Sequence, residues 1–237
     1  MKPQSPPVCR PPSRLATLSE LRAPLDAFTL LWQLPTLLHA PRGDGRPIVL
    51  APGFRADESS MWPLKRFLRR IGYDAYDWSL GRNQGDVERQ TAALCRRVDT
   101  LFDDCGQEPV TLIGWSLGGV VAREVARLRP ETVREVITMG TPIIGGPKYT
   151  AVGARYARER GLEMDMFEAE VHERNSIGIT QPVTSIYSKL DGVVGWEASV
   201  DVYNDQARNI PVLSSHFGLG VNATVWRRIA DILAASE

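Results

Sequence analysis

Short apolar runs alternate with amphipathic stretches from residue 47 to the end of the chain. Ile48-Val49-Leu50-Ala51 stops at Pro52-Gly53, and Val110-Thr111-Leu112-Ile113 stops at Gly114. Val133 to Met139 ends in Gly140-Thr141-Pro142. Runs without polar alternation suit strands buried on both faces. Residues 73–78, 183–187 and 210–213 read as three further strands. Between them lie helical spacings. Met61, Trp62, Leu64, Phe67, Leu68 and Ile71 form one face, with Ser59 or Ser60 as the expected cap and Gly72 as the stop. Val87, Leu94, Cys95, Val98, Leu101 and Phe102 form another. A third helix is expected over 117–129, and Val225, Trp226, Ile229, Ile232 and Leu233 mark a last one. Such alternation predicts an α/β fold, a doubly wound and mostly parallel sheet.

The 237 residues carry 28 Lys+Arg against 28 Asp+Glu. With no surplus of cations to neutralise phosphates, nucleic acid is not an expected partner. Cys9, Cys95 and Cys105 are an odd, scattered set, neither a disulfide framework nor a zinc site. Cys95 reads as a small core residue, and a reduced, cytoplasmic protein is expected. The start of the chain, residues 1–14, is polar and proline-rich with no apolar signal-peptide core. The apolar stretch over 28–38 is broken by Gln33 and Pro35, so no transmembrane helix is expected.

Two parts emerge. Residues 1–45 read as an N-terminal extension: a disordered start, then one or two apolar helices broken at Pro24 or Pro35. These helices are expected to pack over the sheet, with weak membrane-surface contact as the alternative, since their Lys/Arg content is low. Residues 46–237 read as the main domain. From 145 to 181 the pattern loosens, with helical stretches near 151–160 and 164–172.

Gly114-Trp115-Ser116-Leu117-Gly118 is a G-x-S-x-G pentapeptide between an apolar strand and a helix. There it can form a nucleophile elbow, a sharp turn that lifts a serine hydroxyl out of the backbone. The alternative is a glycine-rich turn with an idle serine. A serine needs a general base, and the chain has three histidines. His39 precedes the sheet. His172 lies in the loose region between Glu170 and Glu173 and reads as exposed. His216 follows the last strand and suits the order Ser, acid, His. Asp191, just past the fifth strand and followed by Gly192, is the favoured acid; Asp201 and Asp205 are rivals. Oxyanion donors are expected at the backbone N–H groups of Leu117 and Phe54, with Gly53 letting the loop turn toward substrate.

These residues together resemble the α/β-hydrolase fold superfamily and, within it, the bacterial lipase and esterase group. The likeness runs through residues 47–54, 112–123, 136–142, 186–194 and 215–219. It implies Ser116 as nucleophile, His216 as base, Asp191 as acid, and Phe54 and Leu117 as the oxyanion hole. Two departures stand out: Pro52 where many such lipases carry His before the oxyanion glycine, and Trp115 where many carry His before the nucleophile. Both are expected to reshape the pocket, so Gly53 and Trp115 are placed beside substrate. Residues 145–181 fall where this superfamily inserts a cap. Met164, Met166 and Phe167 then become candidates to face an acyl chain, against ordinary helix packing. Asn83 is placed against polar atoms of the substrate, or else in a turn. No pair of acids builds the calcium site of some secreted lipases, and no metal or cofactor is expected. The resemblance implies a small-molecule ester or lipid-like substrate. A thioesterase, amidase or acyltransferase would use the same residues, and an idle binding module is the remaining alternative.

Overall fold

The computed structural model describes residues 5–236. Two helices, α1 (Arg14–Ser19) and α2 (Ala23–Leu38), come first. The main part runs β1 (Pro47–Ala51), α3 (Trp62–Ile71), β2 (Asp74–Asp77), α4 (Val87–Asp104), β3 (Val110–Trp115), α5 (Leu117–Leu128) and β4 (Val133–Met139). Then come α6 (Gly153–Arg160), α7 (Met164–Ile177), β5 (Val183–Ser188), β6 (Arg208–Val212) and α8 (Ala223–Ala234). The six strands form one parallel sheet in the order β2-β1-β3-β4-β5-β6.

Side-chain alternation on buried strands divides the core between the two faces of this sheet. Ile48, Leu50, Ile113, Ile137 and Ile186 pack with α3 and α8 on one face. Val49, Ala51, Leu112 and Val136 pack with α4 and α5 on the other. On α3 the buried residues are Leu64, Phe67, Leu68 and Ile71, each stabilising by about 1.5–3 kcal/mol relative to exposure. Gly72 closes this helix in the left-handed conformation, at φ 105°. Neither serine caps its start: Asp57 instead caps a 3-10 turn, Glu58–Ser60, that leads into it. Strand order reverses between β1 and β3, so the connections after these strands diverge and leave a crevice at their carboxyl ends.

The extension is not a loose appendage. Leu37 is buried and Leu30 partly so, both packed in the cluster that contains α8. Pro24 sits in the first turn of α2, where its missing N–H costs nothing, and Pro35 lies inside the helix. The outer side leaves Leu18, Leu21, Leu25, Phe28 and Trp32 exposed. The expected disorder of residues 1–14 does not hold over the described part. Cys9 is buried with Ile143, Ile144, Tyr149 and Tyr203, and the Arg10 N–H donates to Glu197 at 3.1 Å. Residues 1–4 lie outside the described residues. Among the described residues no helix is long and apolar enough to cross a membrane. None of them form a His, Cys, Asp and Glu group able to hold a metal ion.

Candidate active site

Ser116 stands between β3 and α5 at φ 54°, ψ −123°, a strained conformation for a residue with a side chain. Its backbone is fixed on both sides. The Ser116 N–H donates to Met139 O at 2.8 Å, and Ser116 O accepts from Thr141 Oγ1 at 3.0 Å. The flanking glycines follow from close approach. A Cβ on Gly114 would lie 2.3 Å from the Cα of Gly119, and one on Gly118 would lie 2.2 Å from the carbonyl oxygen of Ala51. Only glycines let the strand, the turn and the neighbouring loop pass so near each other.

The loop after β1 runs beside the serine. A Cβ on Gly53 would sit 3.2 Å from that of Ser116. Phe54, Ser116 and Leu117 share the wall of a cleft of about 650 Å³, within the usual range for small-molecule sites, roughly 300–1,000 Å³. Val120, Ile143 and Phe167 line it further. Helices α6 and α7, inserted between β4 and β5, form the far side. Tyr156 of α6 packs edge-on against Phe54, and its hydroxyl donates to Gly85 O at 2.7 Å.

Asp191 and His216 meet on adjacent loops, after β5 and β6. Asp191 Oδ2 lies 2.7 Å from His216 Nδ1, and both side chains are buried. Asp191 Oδ1 accepts from the N–H groups of Val193 at 2.9 Å and Val194 at 2.7 Å. The carboxylate is thus held with one oxygen spent on its own loop and the other on the imidazole. Burial works against a charged His216. The charge of Asp191, the bond to it and the charge of Glu20 outweigh that, so the His216 pKa is raised above its ordinary value. Among the described residues no hydrogen bond joins Ser116 Oγ to His216. Catalytic contacts of this kind often tighten only with substrate bound.

The other sequence expectations divide. Asp201 is buried in an ion pair with Arg123 at 2.6 Å. Burial raises its pKa, but Arg123 beside it, with the bonds from Asn204 and the Tyr203 N–H, more than reverses this, and the net shift is downward. His172 is half-buried, not exposed, with Nδ1 3.1 Å from the Tyr203 hydroxyl. Asn83 does not line the cleft. It is wholly buried, donates to Pro52 O at 2.8 Å and accepts from the Gly85 N–H at 3.0 Å, bracing the Phe54 loop from behind. Met166 is 67% exposed and lies outside the cleft lining, to which its neighbour Phe167 belongs. Trp115 lies outside the cleft lining and packs instead against His216, ring centres 5.8 Å apart, and Phe217. Gly53 also lies behind the lining, against Ser116.

Sequence reasoning missed Glu20 and Asp26, whose carboxylates bond to the loops of Asp191 and His216. A lone acid aimed at backbone N–H groups leaves no spacing pattern to find.

Several known proteins are similar to this chain. The mouse mitochondrial palmitoyl-protein thioesterase ABHD10 is 26% identical over 225 residues, covering 82% of this chain and 76% of its own length. The mature Bacillus licheniformis lipase BlEst2 superposes with a TM-score of 0.61 at 15% identity, covering 81% of this chain and 94% of its own. The Bacillus subtilis carboxylesterase CesB gives a TM-score of 0.60 at 14% identity, with 83% and 86% covered. These two solved structures share the fold. The model of the alpha/beta hydrolase family matches residues 48–234, and the chain belongs to that family.

Proposed function

We propose that the chain is a serine hydrolase that cleaves carboxylic esters through an acyl-enzyme. The observation that carries this reading is the strained Ser116 at the cleft wall, with a buried Asp191–His216 pair on loops at the same sheet edge. Ser116 Oγ attacks the acyl carbonyl while His216 Nε2 takes its proton. The N–H groups of Phe54 and Leu117 receive the developing oxyanion. Collapse breaks the ester C–O bond, and the imidazolium returns the proton to the departing alkoxide. His216 then deprotonates a water, which attacks the acyl carbon; the bond to Ser116 Oγ breaks, the imidazolium returns the proton to that oxygen, and the acid is released. Asp191 keeps the proton on Nδ1, leaves Nε2 as the base, and stabilises the imidazolium. The cleft beyond Ser116 would take the acyl group.

A second reading, thioester hydrolysis, is favoured by the name of the mouse relative. It uses the same residues. A thiolate leaves at a pKa near 8.5, so it depends less on proton return from His216 than an alkoxide does. A paired series of acyl p-nitrophenyl esters and acyl thioesters of rising chain length tests both readings. Turnover of the esters, with kcat/KM rising as the chain grows, is expected. Turnover of thioesters alone would replace the first reading with the second, and turnover of neither by folded protein would overturn both.

A further inference from the structure

The N-terminal extension reaches both loops that carry the acid and the base. Glu20 lies in a short turn between α1 and α2. Its Oε1 accepts from the N–H of Gly192 at 2.7 Å and from the N–H of His216 at 2.9 Å. Its Oε2 accepts from the N–H of Phe217 at 3.0 Å. One carboxylate therefore ties the loop after β5 to the loop after β6, at the residue following the acid and at the base itself.

Neighbouring groups hold the same two loops. Thr17 Oγ1 donates to Gly192 O at 3.4 Å, and Ser19 Oγ donates to Leu190 O. A Cβ on Gly192 would lie 2.2 Å from the carbonyl oxygen of Ala16, so the two backbones are in contact. Asp26 of α2, only 6% exposed, accepts from Ser215 Oγ at 3.0 Å and from Asn222 Nδ2 at 3.0 Å. Charge-assisted bonds to backbone N–H groups are among the stronger ones. The family match begins at residue 48, so this clamp comes from outside the matched fold.

We propose that Glu20 is a positioning residue: its carboxylate sets the spacing of the two loops that keeps Asp191 Oδ2 against His216 Nδ1. The proposal rests on the Ser-His-Asp reading above. Glu20 touches neither substrate nor the reacting atoms. It acts through the backbone of His216 and through its charge, which joins that of Asp191 in favouring the imidazolium. The charged groups bearing on His216 are Asp191 and Glu20, with Asp26 reaching its loop through Ser215. The rings of Trp115 and Phe217 pack on the imidazole and do not titrate.

The test compares Glu20→Ala and Glu20→Gln with wild type in the full chain, measuring kcat, KM, the pH profile of kcat/KM and thermal stability on one ester. Wild-type labelling by a fluorophosphonate serves as the separate check of the triad. Glu20→Ala is expected to lower kcat about 10-fold with little change in KM, because a displaced base costs rate rather than binding. Glu20→Gln keeps an acceptor oxygen, so it should recover most of kcat, while its acid limb moves to lower pH because the charge is gone. A purely structural role would lower stability without moving that limb. Unchanged kcat in Glu20→Ala, or an acid limb in Glu20→Gln that coincides with wild type, would overturn the proposal. If Glu20→Ala does not fold, the acid limb of Glu20→Gln decides alone. Absence of labelling in wild type would instead remove the triad reading on which it rests.

Discussion

Ser116 is held in a conformation that L-residues rarely adopt, and close packing of Gly114 against Gly119 and of Gly118 against Ala51 makes that conformation available. Elsewhere single residues do unseen structural work. Arg123 and Asp201 form an ion pair that is buried on both sides, and Asp201 also accepts from the N–H of Tyr203 at 2.9 Å. Replacing Arg123 with Met leaves the carboxylate buried without its cation. We expect a loss of about 3–5 kcal/mol in urea unfolding, much of it recovered in the double variant with Asp201→Asn. A loss below about 1 kcal/mol would show that the pair contributes little. Asp201 looked like a rival catalytic acid in sequence because a loop aspartate after β5 has the same local appearance whether it faces an imidazole or a guanidinium.

At the scale of elements, legibility followed the packing. β3 is buried along its whole length, and an apolar run broken only by Thr111 announced it, whereas Arg134 and Glu135 interrupt the start of β4 before Val136-Ile137. The helix α7 was harder. Its inward side carries Glu168 and Asn175, which bond to the Tyr149 hydroxyl at 2.6 Å and to Ile143 O at 2.8 Å. Polar residues on the buried face blur the helical period; of the three candidates Met164, Met166 and Phe167, Phe167 lines the cleft and the two methionines do not. Phe167→Ala is therefore expected to lower kcat/KM for long-chain esters several-fold while sparing short ones, and Met166→Ala to change neither. Kinetics on a chain-length series check this; equal loss for all lengths would take Phe167 out of the acyl site. Asn83 follows the turn reading rather than the substrate one: a polar residue in a loop after a strand looks available, yet its amide is taken up by Pro52 O and the Gly85 N–H.

Across the whole molecule, the sheet order sets the Phe54 loop and the Ser116 turn side by side, with the Asp191 and His216 loops arriving from β5 and β6. Ser116, Asp191 and His216 could be singled out in the sequence because they follow β3, β5 and β6 in strand order. The start of the extension was not legible. Prolines before residue 14 suggested disorder, but burial of Cys9 and the bonds of Glu20 are contacts across the chain, which local composition does not record. The proposed reaction rests on Ser116 acting as nucleophile with His216 as its base. Fluorophosphonate labelling followed by peptide mapping, with the rate measured across pH, tests this most directly. The adduct should map to Ser116 and be lost in Ser116→Ala. Its rate should rise with pH through an apparent pKa above the ordinary 6.5 of imidazole, because the base works only when unprotonated and its pKa is raised. No adduct on folded protein, an adduct elsewhere, or a rate indifferent to pH and to His216→Ala would contradict the account.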